Sequence, residues 1–260
     1  MSNKKNKGYS IRPLSFNRQM VIASIAGNKR SAIHSILEVD VTRPRSLFRK
    51  HFEKTGEKLS FTAYLVKCLA MALEKHPEFN AFIKGRKMVL LDDITISVLV
   101  EREVNGEKVP EPVGIKSANH KPYRQIHDEI RQAKSMAGEQ MGNLSGSSWI
   151  RFIPGFLLKL FVRLADRNIS MAKKYGKVAV TAVGMFGNAS AWFIPHGTAT
   201  VLLTVGSISE KFTRVNNEYA AREILHLTAS FDHELIDGAP AARFMKEFVG
   251  LVESGVLLEF

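Results

Sequence analysis

The sequence predicts an α/β protein in which helices flank a mixed β-sheet. Segments with helical periodicity alternate with strand-like segments, and no internal repeat interrupts this order. At 260 residues, 45% of them hydrophobic, the chain is long enough to bury a substantial core. We therefore expect residues 1–12 to form a flexible basic arm and residues 13–260 to form a single domain.

Local patterns justify each element in order. Apolar residues at helical spacing predict the helices, and Ser60 can cap the longest one, which His76-Pro77 ends. Alternation or a continuous apolar run predicts the strands, and Asn105-Gly106 is typical of a hairpin turn. In chain order we predict a helix over 15–27, a strand over 35–41, helices over 45–55 and 60–74, strands over 87–91, 94–100 and 109–115, a helix over 123–137, strands over 178–183, 200–205 and 224–231, and a helix over 239–253.

Charge favours anionic partners. The formal net charge is +12, which suits nucleotide phosphates, nucleic acid or an acidic membrane surface. A nucleic-acid partner is disfavoured because the sequence has no zinc finger, RNP aromatic motif or GxxG loop. No apolar run is long enough to span a membrane, and the basic amino terminus lacks the apolar block of a secretory signal, so we expect a cytoplasmic protein.

Cysteine content excludes two kinds of chemistry. The single cysteine, Cys68, cannot form an internal disulfide or a CxxC metal site, and its apolar helical surroundings favour a core position over a nucleophile. No cluster of His, Asp or Glu shows the spacing of metal ligands either, so we expect no metal.

An apolar stretch over residues 149–166 is unusual. After Pro154 it is apolar around most of a helical circumference, with Lys159 and Arg163 four residues apart. It fits a core or subunit-contact helix, and it also fits a basic amphipathic helix that rests on an anionic bilayer or covers the site.

A histidine near the carboxyl end has the surroundings of a general base. Phe231-Asp-His-Glu-Leu-Ile-Asp-Gly238 follows a predicted strand and places His233 between two carboxylates before a glycine. Imidazole titrates near neutrality, and a fixed carboxylate with a tight glycine turn can hold its ring in one tautomer. Asp and Gly are also ordinary turn residues, so the segment alone fits an unreactive strand end as well.

A second segment places a hydroxyl before a glycine turn. Thr181 lies in the apolar strand 178–183, just before Gly184, and a hydroxyl there can donate a hydrogen bond to developing negative charge. Threonine is common in strands, so this position indicates little by itself. The two segments, in this order and about fifty residues apart, are more specific.

Together these segments resemble the catalytic domain of the dihydrolipoamide acyltransferases, the E2 components of 2-oxo acid dehydrogenase complexes, and more distantly chloramphenicol acetyltransferase. The resemblance spans roughly residues 12–255. Residues 231–238 resemble the family's DHRxxDG motif, 180–187 resemble its TISNLGMFG, and 192–195 resemble its aromatic-proline stretch.

This resemblance implies a chloramphenicol acetyltransferase-like fold, with active sites in channels between the subunits of a homotrimer or of a larger assembly of trimers. It implies transfer of an acyl group between coenzyme A and a thiol of the dihydrolipoyl type, or another small acceptor. Position by position, His233 becomes the general base, Thr181 stands where the family has a serine that donates to the oxyanion, and Asp237 holds the turn and pairs with Arg18. Supporting positions are Asp232 and Gly238, and candidate substrate contacts are Trp192, Phe193 and His196.

The sequence departs from the family pattern in three respects. Glu234 follows the histidine where an arginine is usual, and Thr181-Ala182 replaces serine and asparagine. No lipoyl domain precedes residue 12, so we expect a stand-alone domain without its own covalent lipoyl group, served by a separate lipoyl-carrier protein. Residues 149–177 exceed the usual connection and are an atypical insertion. The alternative interpretation is a trimeric scaffold or regulatory subunit with attenuated catalysis.

Overall fold

Strands and helices alternate along most of the chain. The computed structural model describes residues 14, 16–26, 31–104, 107–135, 155–184, 190–215 and 217–258. In chain order the elements are α1 Phe16–Ala26, β1 Ala32–Asp40, α2 Thr42–Thr55, α3 Phe61–Lys75, a short 3₁₀ turn Pro77–Phe79, β2 Ala81–Lys84, β3 Lys87–Leu90, β4 Ile96–Val104, β5 Glu107–Ile115, α4 Tyr123–Ser135, α5 Gly155–Asp166, α6 Ile169–Tyr175, β6 Val178–Ala182, β7 Val201–Val215, β8 Glu218–Asp232 and α7 Gly238–Ser254.

The main sheet has six strands in the order β1-β8-β7-β6-β4-β5, and β2 pairs with β3 in a separate ribbon. β6 runs parallel to both β4 and β7, whereas the β1–β8, β7–β8 and β4–β5 pairs are antiparallel. The predicted mixed sheet flanked by helices is confirmed.

Helices cover one face of this sheet. Side chains alternate between the two faces of a strand, and Val178, Leu203 and Phe231 point into the main core, where α2, α3, α4 and α7 contribute their apolar faces. The predicted cap of α3 is present, since the Ala63 N–H donates to Ser60 Oγ at 3.2 Å.

Cys68 belongs to this core. Its side chain is buried on α3, and burial raises the pKa of the thiol to about 12. A thiol with that pKa is protonated at neutral pH, so the structure agrees with a packing role and not with a nucleophile.

The opposite face is more polar. Thr181 on β6 lies opposite Thr204 on β7, and Thr204 lies opposite Thr228 on β8, so their side chains form one row across three strands. His34 and Ser230 lie on the same face, joined by a 2.8 Å hydrogen bond between His34 Nδ1 and Ser230 Oγ. Polar chemistry is therefore available on this side of the sheet.

Several boundaries differ from the prediction. β7 and β8 are longer than the predicted 200–205 and 224–231. The prediction missed the outer part of this hairpin because residues 206–223 are too polar to show the apolar pattern of a strand. β2 was not predicted at all. α2 begins at Thr42, before the predicted residue 45, and the Thr42 Oγ1 accepts the Glu223 N–H at 2.9 Å.

Other predictions fall outside the described residues. These are the basic arm over 1–12, the hairpin turn at 105–106, the start of the apolar segment over 149–154, and residues 138–148, whose Gly, Ser and Asn content predicts a loop. The organisation of residues 13–260 as one domain stays a prediction.

Candidate active site

The turn after β8 positions His233. Asp232 accepts the Glu234 N–H at its Oδ1 (3.1 Å) and the Leu235 and Ile236 N–H groups at its carbonyl oxygen (3.1 and 3.0 Å), which closes the turn. The His233 N–H donates to Ser31 O at 2.9 Å. These bonds attach the histidine backbone to the segment that leads into β1.

One hydrogen bond sets the chemistry of the His233 ring. Nδ1 lies 3.1 Å from Ile236 O. Because a carbonyl oxygen can only accept, Nδ1 must carry the hydrogen, which leaves the lone pair of neutral imidazole on Nε2. The side chain is 43% exposed, so Nε2 can serve as a proton acceptor for a bound thiol.

This arrangement corrects part of the sequence-based reasoning. The group that orients the ring is the Ile236 carbonyl, since Asp237 Oδ1 lies 3.7 Å from Nδ1 and the Asp237 side chain is 85% exposed. Gly238 forms no left-handed turn; it is the first residue of α7, and space is open around it. In the described chain Asp237 contacts His233, and its pairing with the exposed Arg18 stays a prediction.

Thr181 lies near the carboxyl end of β6, between Leu99 and Thr204 of the neighbouring strands, and is half-buried. Thr181 precedes Gly184 in the chain, and an added Cβ on Gly184 would lie 1.7 Å from Gly206 O. The backbones of these two glycines are therefore in close contact.

The strand register separates Thr181 from His233 within one chain. Thr181 aligns across β7 with Thr228, while His233 follows Asp232 at the far end of β8. With about 3.3 Å per residue and about 4.8 Å per strand, their Cα atoms lie roughly 15–20 Å apart, towards opposite ends of the interior strands β6 and β8. A single copy of the chain cannot bring the two side chains onto one substrate.

A cleft of about 990 Å³ opens beside the end of β6, and we call it the basic cleft. Ala182 and Gly184, which directly follow Thr181, contribute to its wall. Its basic residues are Arg45, Arg49, Lys58, Arg131 and Lys134, and its apolar residues include Phe48, Leu59, Phe61 and Ile130. Arg45 and Arg49 both bind Glu223, at 3.2 and 2.7 Å, whereas Lys58, Arg131 and Lys134 are exposed.

A second cleft of about 370 Å³, which we call the polar cleft, opens beside Asp232, the residue before His233. His34, Ser230 and His196 line it. His196 was predicted as a candidate substrate contact, and that role stays a prediction. His34 reaches this cleft because the β1–β8 pairing puts it opposite Ser230.

Trp192 and Phe193 lie in the stretch that leads to the polar cleft. The Trp192 indole donates to Leu37 O at 2.9 Å and meets the His226 ring edge-on, with 4.4 Å between ring centroids. Phe193 is exposed. His226 is fully buried, and its Nδ1 lies 3.0 Å from Ser207 O.

The described residues also bear on metal binding and on membrane crossing. Within them, no group of three or more His, Cys, Asp or Glu side chains could hold a metal ion. Among the helices that the structure describes, none has the length and apolar character needed to cross a membrane.

Comparison with protein families gives one match over most of the chain. The model for the 2-oxoacid dehydrogenases acyltransferase catalytic domain matches residues 6–145 and 162–258. Residues 146–161 lie between the two matched parts. The predicted insertion over 149–177 overlaps this gap, although residues 162–177 fall inside the second part.

Two curated relatives come from Bacillus subtilis. The dihydrolipoyllysine-residue acetyltransferase component of its pyruvate dehydrogenase complex is 28% identical over 250 residues, covering 93% of this chain and 49% of the relative. The lipoamide acyltransferase component of its branched-chain alpha-keto acid dehydrogenase complex is 26% identical over 256 residues, covering 93% and 52%. The chain thus spans about half the length of the curated relatives it matches.

Solved structures show the same fold. Dihydrolipoamide acetyltransferase of Azotobacter vinelandii matches with a TM-score of 0.71 at 17% identity, over 97% of this chain and 94% of that one. The cubic core of a pyruvate dehydrogenase complex matches at 0.70 and 18%, over 100% and 98%. A chloramphenicol acetyltransferase matches at 0.51 and 16%, over 92% and 93%. The predicted chloramphenicol acetyltransferase-like fold is confirmed.

A buried histidine in the basic cleft makes stability depend on pH. His127 Nδ1 accepts the Ser60 N–H at 3.1 Å, so that nitrogen must be unprotonated, and burial lowers the pKa of His127 below its ordinary value. The stabilisation by neutral His127 is complete above the pKa of histidine in the unfolded chain, about 6.5. It is lost as pH falls from there towards the lower pKa of His127 in the folded chain.

We expect His127→Asn to lower the free energy of unfolding at pH 7.5 and to narrow that deficit at pH 5, measured by urea unfolding. The exposed His120 provides a control, and His120→Asn should leave the profile unchanged. Parallel pH profiles for the wild type and His127→Asn would contradict this role of His127.

Proposed function

Because the chain belongs to the 2-oxoacid dehydrogenase acyltransferase family through its catalytic domain, we propose that it transfers an acyl group between coenzyme A and a small thiol acceptor. The observation that carries this proposal is the His233 ring, with Nδ1 bonded to Ile236 O and the Nε2 lone pair left available. The reacting site forms between two copies of the chain.

Spacing supports the roles of individual residues. In the Azotobacter vinelandii acetyltransferase, a serine, a histidine and an asparagine have been investigated for their role in catalysis, with the histidine fifty-two positions after the serine and four before the asparagine. Thr181, His233 and Asp237 have the same two spacings. We assign the hydroxyl of Thr181 to the serine position and Asp237 to the asparagine position.

Transfer proceeds by two proton movements at His233. Nε2 removes the proton of the attacking thiol, whose sulfur forms a bond to the acyl carbon, while the Thr181 hydroxyl of another copy donates to the carbonyl oxygen as it gains negative charge. The bond from the acyl carbon to the original sulfur then breaks, and the proton on Nε2 passes to that leaving sulfur. Protons and bonds balance without a metal or a redox step.

The basic cleft fits one of the two substrates. Coenzyme A supplies the reacting thiol together with three phosphate groups. Lys58, Arg131 and Lys134 at the cleft can bind phosphate oxygens, while Phe48 and Ile130 offer an apolar surface. The polar cleft near Asp232, with His34 and His196, is the candidate entrance for the acceptor.

The acceptor side involves further partners. We propose that a separate protein presents a lipoyl group as the dihydrolipoyl thiol, and that three copies of the chain, or a larger assembly of such trimers, form the working unit. The match to the cubic core of a pyruvate dehydrogenase complex supports an assembly through its fold, and the separation of Thr181 from His233 requires one.

We expect His233→Ala to lower kcat/KM for acyl transfer from acetyl-CoA to dihydrolipoamide by about 10²–10⁴, since the general base is lost. Thr181→Ala should cost about 10²–10³, and Thr181→Ser should retain most activity because the hydroxyl remains. Free coenzyme A formed from acetyl-CoA, separated by chromatography, measures the rate, and His120→Ala at an exposed histidine is the control.

Wild-type turnover in the His233→Ala variant would refute the assigned base. If the wild-type protein transfers no acyl group from a panel of acyl-CoA donors to thiol, amine or hydroxyl acceptors, the trimeric scaffold with attenuated catalysis is the better account.

Charge reversal tests the placement of coenzyme A. We expect Arg131→Glu with Lys134→Glu to raise the KM for acetyl-CoA about ten-fold or more, with a smaller effect on kcat, because two exposed cations facing the phosphates become anions. Arg243→Glu with Lys246→Glu makes the same change at the same spacing on α7 and should leave KM unchanged. Equal KM values for the two double variants would contradict a phosphate role for the basic cleft.

A further inference from the structure

The helix α5 exposes an apolar stripe. Five of its large apolar side chains are between 43% and 68% exposed, namely Phe156, Leu157, Leu160, Phe161 and Leu164. At 3.6 residues per turn they occupy about 140° of the helix circumference. Leu158, on the other side, is buried where α5 packs against α1 and α6. The exposed stripe is thus a continuous surface on an otherwise packed helix.

Cations border this stripe. Lys159 and Arg163 are exposed and four residues apart, so they lie along one edge of it. Exposed Arg167, Lys173 and Lys174 follow on the next turns. Between residues 155 and 175 the only carboxylate in the sequence is Asp166.

The charge of Asp166 is already compensated. Its Oδ1 lies 2.7 Å from Lys177 Nζ, and both side chains are only 6% exposed. Lys177 Nζ also lies 4.9 Å from the centroid of the Phe82 ring. Among the described residues, the solvent-facing side of α5 and α6 therefore combines exposed apolar side chains with an excess of positive charge.

The family pattern does not account for this surface. Residues 146–161, which include Phe156, Leu157, Leu160 and Phe161, lie between the two matched parts of the family model. The neighbouring helix α1 adds exposed Ile22 and Ile25. Contact with a second copy through the same stripe would bring Lys159 and Arg163 of one copy against those of the other, which like-charge repulsion opposes.

We propose that α5 rests in the interface of an anionic lipid bilayer, with its apolar stripe among the acyl chains and Lys159 and Arg163 at the headgroups. A helix of 12 residues with this pattern lies in the membrane plane and does not cross it. The protein then binds membranes peripherally through a helix that contains neither Thr181 nor His233. This inference does not depend on the proposed acyl transfer.

The test is flotation of the full-length protein with vesicles. We expect binding to vesicles of phosphatidylcholine mixed with phosphatidylglycerol. Binding to phosphatidylcholine alone should be at least about ten-fold weaker, because the basic residues contribute only at an anionic surface. Added salt should weaken the binding to anionic vesicles.

Two double variants separate the apolar from the electrostatic contribution to vesicle binding. Phe156→Ser with Leu160→Ser removes apolar contact and keeps the charges, whereas Lys159→Glu with Arg163→Glu reverses the charges and keeps the apolar stripe. Both should lower binding at least ten-fold while far-UV circular dichroism stays unchanged. The controls Phe212→Ser and Arg243→Glu with Lys246→Glu alter exposed residues elsewhere and should bind as the wild type does.

Light scattering on the same samples tests the alternative that the stripe contacts a second copy of the chain. Suppose that the wild type binds neither vesicle type, and that the Phe156→Ser with Leu160→Ser variant forms an assembly of lower molar mass than the wild type. The stripe is then a contact between copies, and the proposal is overturned. Equal binding of the wild type and both α5 variants to anionic vesicles would overturn it as well. Loss of vesicle binding at unchanged molar mass supports it.

Discussion

The pairing of β8 with β7, and of β7 with β6, is the constraint on which the rest of the structure depends. It aligns Thr181 with Thr204 and Thr228, and it carries β8 four residues further to Asp232 before the chain turns into His233. A one-residue slip would move every side chain of β8 to the other face of the sheet. The apolar residues on the core face therefore hold the register that places the two candidate reacting groups towards opposite ends of β6 and β8.

This separation gives the two ends of the strands different chemistry. At one end, β6 leads into the basic cleft, where exposed cations face an apolar wall. At the other end, the turn after β8 fixes the tautomer of His233 beside the polar cleft. The proposed acyl transfer needs Thr181 and His233 at one substrate. Activity therefore depends on the assembly of copies as well as on the folding of each chain.

Much of the fold could be predicted from sequence because the apolar periodicity is strong. The α3 helix, the apolar parts of β6 and the final helix gave clear patterns, and the motif around His233 indicated a base. The sequence could not show that the Ile236 carbonyl orients the ring, because a backbone contact leaves no side-chain signature. It also could not show the long β7–β8 hairpin, whose outer part is polar. The position of His34 and the formation of the basic cleft result from pairing and packing between residues far apart in the chain, which local sequence patterns do not show.

The central claim is that His233 of one copy acts with Thr181 of another, and mixed assemblies test it most directly. The His233→Ala and Thr181→Ala chains, each with its own affinity tag, are coexpressed, and assemblies that contain both chains are isolated through the two tags. In a mixed trimer about one site in three combines an intact histidine with an intact threonine, so the account predicts about a third of wild-type acyl-transfer activity where each variant alone is nearly inactive. Mixed trimers as inactive as the two parent variants would contradict it.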